Sequence, residues 1–184
     1  MDSLDRAPPK TVKIGGRNFP VRTDFRTILK IVRMLEDPDV PEAAKPSLLA
    51  RWFYADEAPP VGEAVQGFAD FVRGDAGEAS GESADFSYAC DAGVIYASFL
   101  SEYGIDLAET PGLHWHRFYA LLASLPPESA LGRKLRLRSA DADGLPEPQR
   151  SRVLAAQARA ALPVMIDSGP AARAFESVWN HAGD

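Results

Sequence analysis

The sequence predicts a mainly α-helical fold: a single helical domain of about six to eight helices with a short N-terminal β-hairpin. Three observations carry that expectation. Apolar residues recur three and four apart along most of the chain. Proline and glycine fall between those periodic stretches, where helices should stop. Only one stretch, TVKIGGRNFPV, alternates apolar and polar residues around a pair of glycines. At 184 residues, 46% of them hydrophobic and 25% charged, the chain has the composition of a globular domain. A chain of this length buries roughly two thirds of its unfolded surface.

The opening residues, MDSLDRAPPK, read as a disordered leader over 1–10 and lack the apolar run of a signal peptide. Gly15-Gly16 then supplies the two positive φ angles of a type I′ turn. That turn pairs Ile14 with Arg17 and Val12 with Phe19, so Val12, Ile14, Phe19 and Val21 share a face. A lone hairpin is marginal in water, so this face should lie on helices. Thr23 or Asp24 caps a helix to about Asp37, with Phe25, Ile28, Val32 and Leu35 as its stripe. DPDVPEAAKP is turn chemistry, with Pro41 a candidate first helical residue, and Pro46 either starts the regular helix or kinks it. That helix ends in LLARWFYADEAPP, stopped by Pro59 and Pro60. A third helix spans about Val61 to Arg73 on Val65, Phe68 and Phe71 or Val72.

GDAGEASGESAD, 74–85, reads as a flexible loop. A helix from about Phe86 to Tyr103 should bury Ala89, Ala92, Tyr96, Phe99 and Tyr103 and stop at Gly104. Gly93 within it suggests a close helix crossing. Thr110-Pro111 should open a fifth helix that ends at Pro126-Pro127. A sixth follows over about Glu128 to Arg138, and a seventh over Gln149 to Leu162, ended by Pro163. Pro170 should start a last short helix with Phe175, Val178 and Trp179 on one side. The domain reading is 11–145 for hairpin plus helices and 146–184 for a partly flexible C-terminal helical extension.

Composition narrows function. The net charge is −6, and it is uneven: residues 1–110 carry 11 basic and 19 acidic side chains, whereas 111–184 carry 9 and 7. Such an acidic chain is a poor general binder of nucleic acid. Cys90 is the sole cysteine, which excludes an internal disulfide or a thiolate metal cluster. No stretch reaches the roughly 18 apolar residues of a membrane span. Phosphate-loop, dinucleotide, nucleophile-elbow and zinc-protease motifs are missing from the sequence. DADG at 141–144 starts like a calcium loop but lacks the later ligands and reads as a solvated turn.

The hexapeptide LHWHRF, 113–118, puts two histidines around a tryptophan. At about 100° per residue, His114 and His116 on one helix would point roughly 160° apart and share no metal. Trp115, Phe118, Tyr119, Leu122 and Leu125 form one face, with the histidines at its margins. An enzyme reading would need His114, His116 and His181 to converge. The basic run GRKLRLRS at 132–139, with Arg133, Lys134, Arg136 and Arg138, leaves open a helical nucleic-acid-binding regulator, or else a solvated helix face. Trp52-Phe53-Tyr54 spans most of a helical turn, so one core face should not hold all three rings.

The order of these blocks resembles a known family. The GG hairpin, VRTDFRTILKI, LLARWFYADEAP, DFSYACDAGVIYASFLSEYGIDLAE and LHWHRFYALLASLPPESALGRKLRLRSAD together are similar to the bacteriophage tail-assembly chaperones named for gene product fifteen, over about residues 10 to 160. Two features depart from that pattern: Pro46 falls where similar proteins continue a helix, and His116 occupies a variable position. Residues 163–184 lie beyond it. The resemblance implies a non-enzymatic protein without cofactor or metal, acting in the bacterial host cytoplasm. It implies the phage tape-measure protein as partner, with the tail tube protein and self-association as further candidates and neither membrane nor nucleic acid expected. On that reading the exposed members of Trp52, Phe53, Tyr54, Trp115 and Tyr119 hold the partner, and Arg133, Lys134, Arg136 and Arg138 steer its approach.

Overall fold

The structure is a computed structural model, described here for residues 7–74 and 87–162. Among these, a two-stranded antiparallel hairpin, β1 (Thr11–Ile14) and β2 (Arg17–Pro20), precedes seven helices. They are α1 (Phe25–Glu36), α2 (Lys45–Phe53), α3 (Val61–Arg73), α4 (Ala92–Tyr103), α5 (Trp115–Ala123), α6 (Ala130–Ser139) and α7 (Gln149–Ala160). The protein is mainly α, as its periodicity predicts. Contacts gather into two compact units. The expected helix after Pro170, the stop at Pro163, the 75–86 part of the expected loop and the first six leader residues lie outside the described residues.

The first unit holds the hairpin, α1 to α3 and residues 111–119. The hairpin register is the predicted one, Val12 opposite Phe19 and Ile14 opposite Arg17. Gly15 and Gly16 have φ of 55° and 82°, the type I′ geometry that side chains resist. The hairpin's apolar face lies on α3 at Gly67, where an added Cβ would come within 2.9 Å of Ile14 Cδ1 and 2.7 Å of the Tyr54 hydroxyl. Asp24 caps α1, its carboxylate accepting from Arg26 N at 2.9 Å. Phe25, Ile28, Val32 and Leu35 are buried as expected, joined by Ile31 and Met34. Burying each such side chain contributes about 1.5–3 kcal/mol.

Two expectations fail around α2. Pro41 precedes turns closed by Ala44 N→Pro41 O and Lys45 N→Glu42 O, and the helix starts only at Lys45. Pro46 therefore begins its regular part, where a missing N–H costs nothing. Pro59 and Pro60 do not stop α2. It ends at Phe53 because Tyr54 turns extended and pairs with Val21. Two backbone hydrogen bonds, Arg22 N→Phe53 O and Ala55 N→Pro20 O, fix that pairing. The Arg22 guanidinium donates to the carbonyls of Arg51, Trp52, Tyr54 and Ala55, satisfying acceptors that a helix C-terminus leaves open. Lys45, 1% exposed, does the same for α1: its ammonium donates to Leu35 O at 2.7 Å and pairs with Glu42.

The second unit holds α4, α6, α7, the connecting residues 104–110 and residues 120–162. Helix α4 starts at Ala92, later than predicted, because a hydrogen-bonded turn occupies the preceding residues, with Asp91 N→Ser87 O at 2.8 Å. Its buried side is Ile95, Ser98 and Phe99, one position round from the predicted face; Ala89 and Ala92 are exposed. Small alanines add little burial, so the branched and aromatic residues set the orientation. No described atom of another element lies within 4 Å of where a Cβ on Gly93 would stand, so the suggested helix crossing is not there. Gly104 ends the helix with φ of 66° and ψ of 18°, as predicted.

Candidate functional site

The hexapeptide that promised chemistry is built differently from a continuous helix. Thr110-Pro111 does not open α5. Leu113 and His114 are extended and lie against the start of α1, with Phe25 N→Leu113 O at 3.0 Å and Trp115 N→Thr23 O at 2.7 Å. This long-range pairing displaces the local preference for helix, and α5 begins at Trp115. His114 thus stands in the cap position, where its Nδ1 accepts from His116 N at 3.1 Å. The two imidazoles are not on opposite sides: their ring centroids are 5.1 Å apart. Three of their four ring nitrogens already have partners. His114 Nε2 donates to Pro9 O at 2.9 Å, and His116 Nε2 donates to Phe71 O at 2.6 Å. Burial lowers the His114 pKa from 6.5, against the raising effect of the Pro9 carbonyl; His116 and Arg117 lower it further.

Both ring nitrogens of His114 and Nε2 of His116 are thus engaged by the protein's own backbone. Among the described residues no group of three or more histidine, cysteine, aspartate or glutamate side chains is placed to hold a metal ion. His181 lies outside those residues.

The aromatic candidates divide by exposure. Phe53, Tyr54 and Trp115 are core residues, 0%, 2% and 0% exposed. Phe53 meets Tyr54, Phe68 and Phe71 with ring centroids 5.0 to 5.2 Å apart. The Tyr54 hydroxyl donates to Ala64 O at 3.1 Å, and burial together with nearby Asp70 pushes its pKa up to about 12. Trp115 Nε1 donates to Val72 O at 3.0 Å. As expected, one core does not hold all of Trp52-Phe53-Tyr54: the helix ends inside the triplet and turns Tyr54 inward beside Phe53. Trp52 stays half-buried with the Lys30 ammonium 4.3 Å from its ring centroid. Tyr119 is also half-buried, stacked on Trp115 at 6.1 Å. These two rings are the surface aromatics of the predicted set.

The basic run divides as well. On α6, Ser129 caps the helix by accepting from Gly132 N. Arg138 is 7% exposed and forms a bidentate pair with Asp91, both contacts at 2.7 Å, while its Nε donates to Ala160 O at 2.6 Å. Lys134 adds a third contact to Asp91 at 2.5 Å. One carboxylate and one guanidinium thereby tie α4, α6 and α7 together. Burial raises the Asp91 pKa, but the hydrogen bonds from Arg138 and Lys134 outweigh it, lowering the value from 3.8 to about 2. Only Arg133 and Arg136 remain at the surface, Arg136 paired with Glu128 at 2.7 Å. DADG is a solvated turn: Asp141 accepts from Asp143 N at 2.7 Å.

Asp91, Lys45 and Arg22 were invisible as structural anchors in the sequence. Nothing local distinguishes a carboxylate whose cationic partners lie 43 and 47 positions away. Another feature that the sequence did not reveal is a recess of about 420 Å³ between β1 and α3, lined by residues 11–14, Glu63, Gln66, Gly67, Asp70 and Phe71. No helix among the described residues is long and apolar enough to cross a membrane.

Comparison with known proteins agrees with the resemblance of the blocks. The family model described as Bacteriophage Gp15 protein matches residues 4–162. No curated protein and no solved structure matches. With most of the chain, hairpin through α7, inside one family match, the chain belongs to the Bacteriophage Gp15 protein family.

Proposed function

We propose that this phage protein is a tail assembly chaperone, a binding protein rather than an enzyme, which holds the tape-measure protein in the host cytoplasm until the tail tube polymerises around it. The observation that carries the reading is the family match over residues 4–162, together with the block order described above. Physical chemistry makes the role coherent. A long amphipathic helical chain without a partner exposes apolar stripes and aggregates. A helical protein that covers those stripes prevents this, and tube subunits displace it most easily if each contact is modest. The surface here suits modest contacts. Trp52 and Tyr119 offer half-covered rings, and Leu100 and Leu154 stand 45% and 46% exposed.

Steering by the basic run is narrower than the sequence suggests. Lys134 and Arg138 serve Asp91, which leaves Arg133 and Arg136 to meet an acidic partner. The same allocation weakens the nucleic-acid alternative, since only two guanidinium groups of this run face water, in an acidic chain. The test is co-expression with the tape-measure protein of the same phage. The expected result is a soluble, co-purifying complex, weakened by Trp52→Ala and Tyr119→Ala together. A tape-measure protein that stays insoluble, with no complex recovered, overturns the reading.

A further inference from the structure

We propose that the outer edge of β1 is a docking edge for an extended, lysine- or arginine-bearing segment of another polypeptide, which adds to the hairpin as a strand. This goes beyond the chaperone reading and stands on its own observations. The ladder has a definite phase. Val21 N→Lys10 O at 3.0 Å makes 10–21 a hydrogen-bonded pair, so 12–19 and 14–17 are hydrogen-bonded pairs too. Thr11 and Lys13 occupy the alternate rows, where N–H and C=O point away from β2. The far edge of β2 is occupied by residues 53–55 through the Val21–Tyr54 pairing. No described strand pairs with the far edge of β1.

An open edge alone asks only for a backbone. The recess beside it asks for a kind of side chain. Its floor is apolar: Val12 and Ile14 are half-buried, and Gly67 contributes no side chain. Its wall is the α3 row Glu63, Gln66 and Asp70, spaced three and four apart on one face. Its volume of about 420 Å³ lies within the roughly 300–1,000 Å³ of ligand sites. Glu63 has no ion-pair partner among the described residues, and the Asp70 carboxylate accepts from Gln66 and, at 3.5 Å, Arg73, all at the exposed surface. A strand added at β1 directs alternate side chains into this recess. A lysine or arginine fits it best, with an aliphatic stem over Val12 and Ile14 and a cationic head at Glu63 and Asp70.

The test uses the full chain, isotope-labelled, and a doubly capped seven-residue peptide alternating lysine and valine. The expected result is saturable binding that shifts the Thr11 and Lys13 amides and protects them from hydrogen exchange. A peptide N-methylated on alternate residues should bind about tenfold more weakly, since it loses edge hydrogen bonds. A peptide with glutamate in place of lysine should not bind, and Glu63→Lys with Asp70→Lys should weaken the lysine peptide at least about tenfold. Lys13→Pro removes an outward donor from a row of the same kind as the one that holds Pro20, and should abolish binding with the helical signal intact. If that variant does not fold, the N-methylated peptide against the unaltered chain decides. Equal binding of the N-methylated or glutamate peptide, or shifts confined to other residues, overturns the proposal. A dimer that Lys13→Pro dissolves, with no peptide binding, assigns the edge to a second copy and also overturns it. The tape-measure co-expression experiment is scored separately, so each reading can fail alone.

Discussion

At the scale of single residues, two glycines inside helices have opposite roles. Gly67 faces the Tyr54 hydroxyl, Ile14 and Val12 at 2.7 to 3.1 Å from where a Cβ would stand; Gly93 faces nothing. Alanine is about 1 kcal/mol better than glycine within a helix when space allows. Gly93→Ala should therefore stabilise the protein by roughly 0.5–1 kcal/mol. Gly67→Ala should destabilise it by about 1–3 kcal/mol, because the Tyr54–Ala64 hydrogen bond or the hairpin must shift. Urea denaturation of both variants measures the difference in sign, and a stabilised Gly67→Ala would contradict the close packing of hairpin on α3. The sequence raised Gly93 as the site of close approach and passed over Gly67, since spacing does not say which side of a helix receives a neighbour.

Helix ends in the first unit are held by side chains outside the helices themselves. Arg22 satisfies carbonyls closing α2, Lys45 the Leu35 carbonyl near the end of α1, and His114 the His116 N–H in the first turn of α5. The histidine makes this arrangement pH-dependent. Its folded pKa lies below 6.5, chiefly through burial, so between those two values the unfolded chain binds the extra proton. Stability from this group is complete above 6.5 and falls as pH drops towards the lower folded value. Protonation also converts Nδ1 from the acceptor for His116 N into a donor, which removes the cap. Thermal unfolding should show the melting temperature declining below about pH 6.5, with His114→Asn, which keeps an acceptor, showing a flatter profile there. An unchanged slope in that variant would remove His114 from the explanation.

For the molecule as a whole, acid stability should have a second, lower window set in the other unit. Asp91 titrates at about 2 when folded and near 3.8 when unfolded. The folded state holds fewer protons, so this contribution, about 2 kcal/mol, is present above 3.8 and is lost as pH falls towards 2. Asp91→Asn leaves Arg138 and Lys134 without their carboxylate and should cost about 3–5 kcal/mol at neutral pH. The same variant should lose the stability change between pH 4 and pH 2. Hydrogen exchange resolved by segment would place the loss in α4, α6 and α7; equal loss in α1 to α3 would contradict the division into two units.

Much of this protein was legible in its sequence because the relevant forces are local. The hairpin register follows from two glycines and a period of two, and both termini of α3 follow from a proline before and a glycine after. The cap at Asp24 and the stop at Gly104 need only their own side chain or its absence. Block order was enough to point to the phage family. Tertiary structure decided whatever depends on partners far along the chain. Residues 54–55 and 113–114 left their predicted helices because backbone groups elsewhere offered better hydrogen bonds. The same long-range choice buried Phe53, Tyr54 and Trp115, left Trp52 and Tyr119 at the surface, and drew Lys134 and Arg138 inward to Asp91. A buried acceptor must find a donor wherever the fold brings one, and sequence spacing carries no record of that distance.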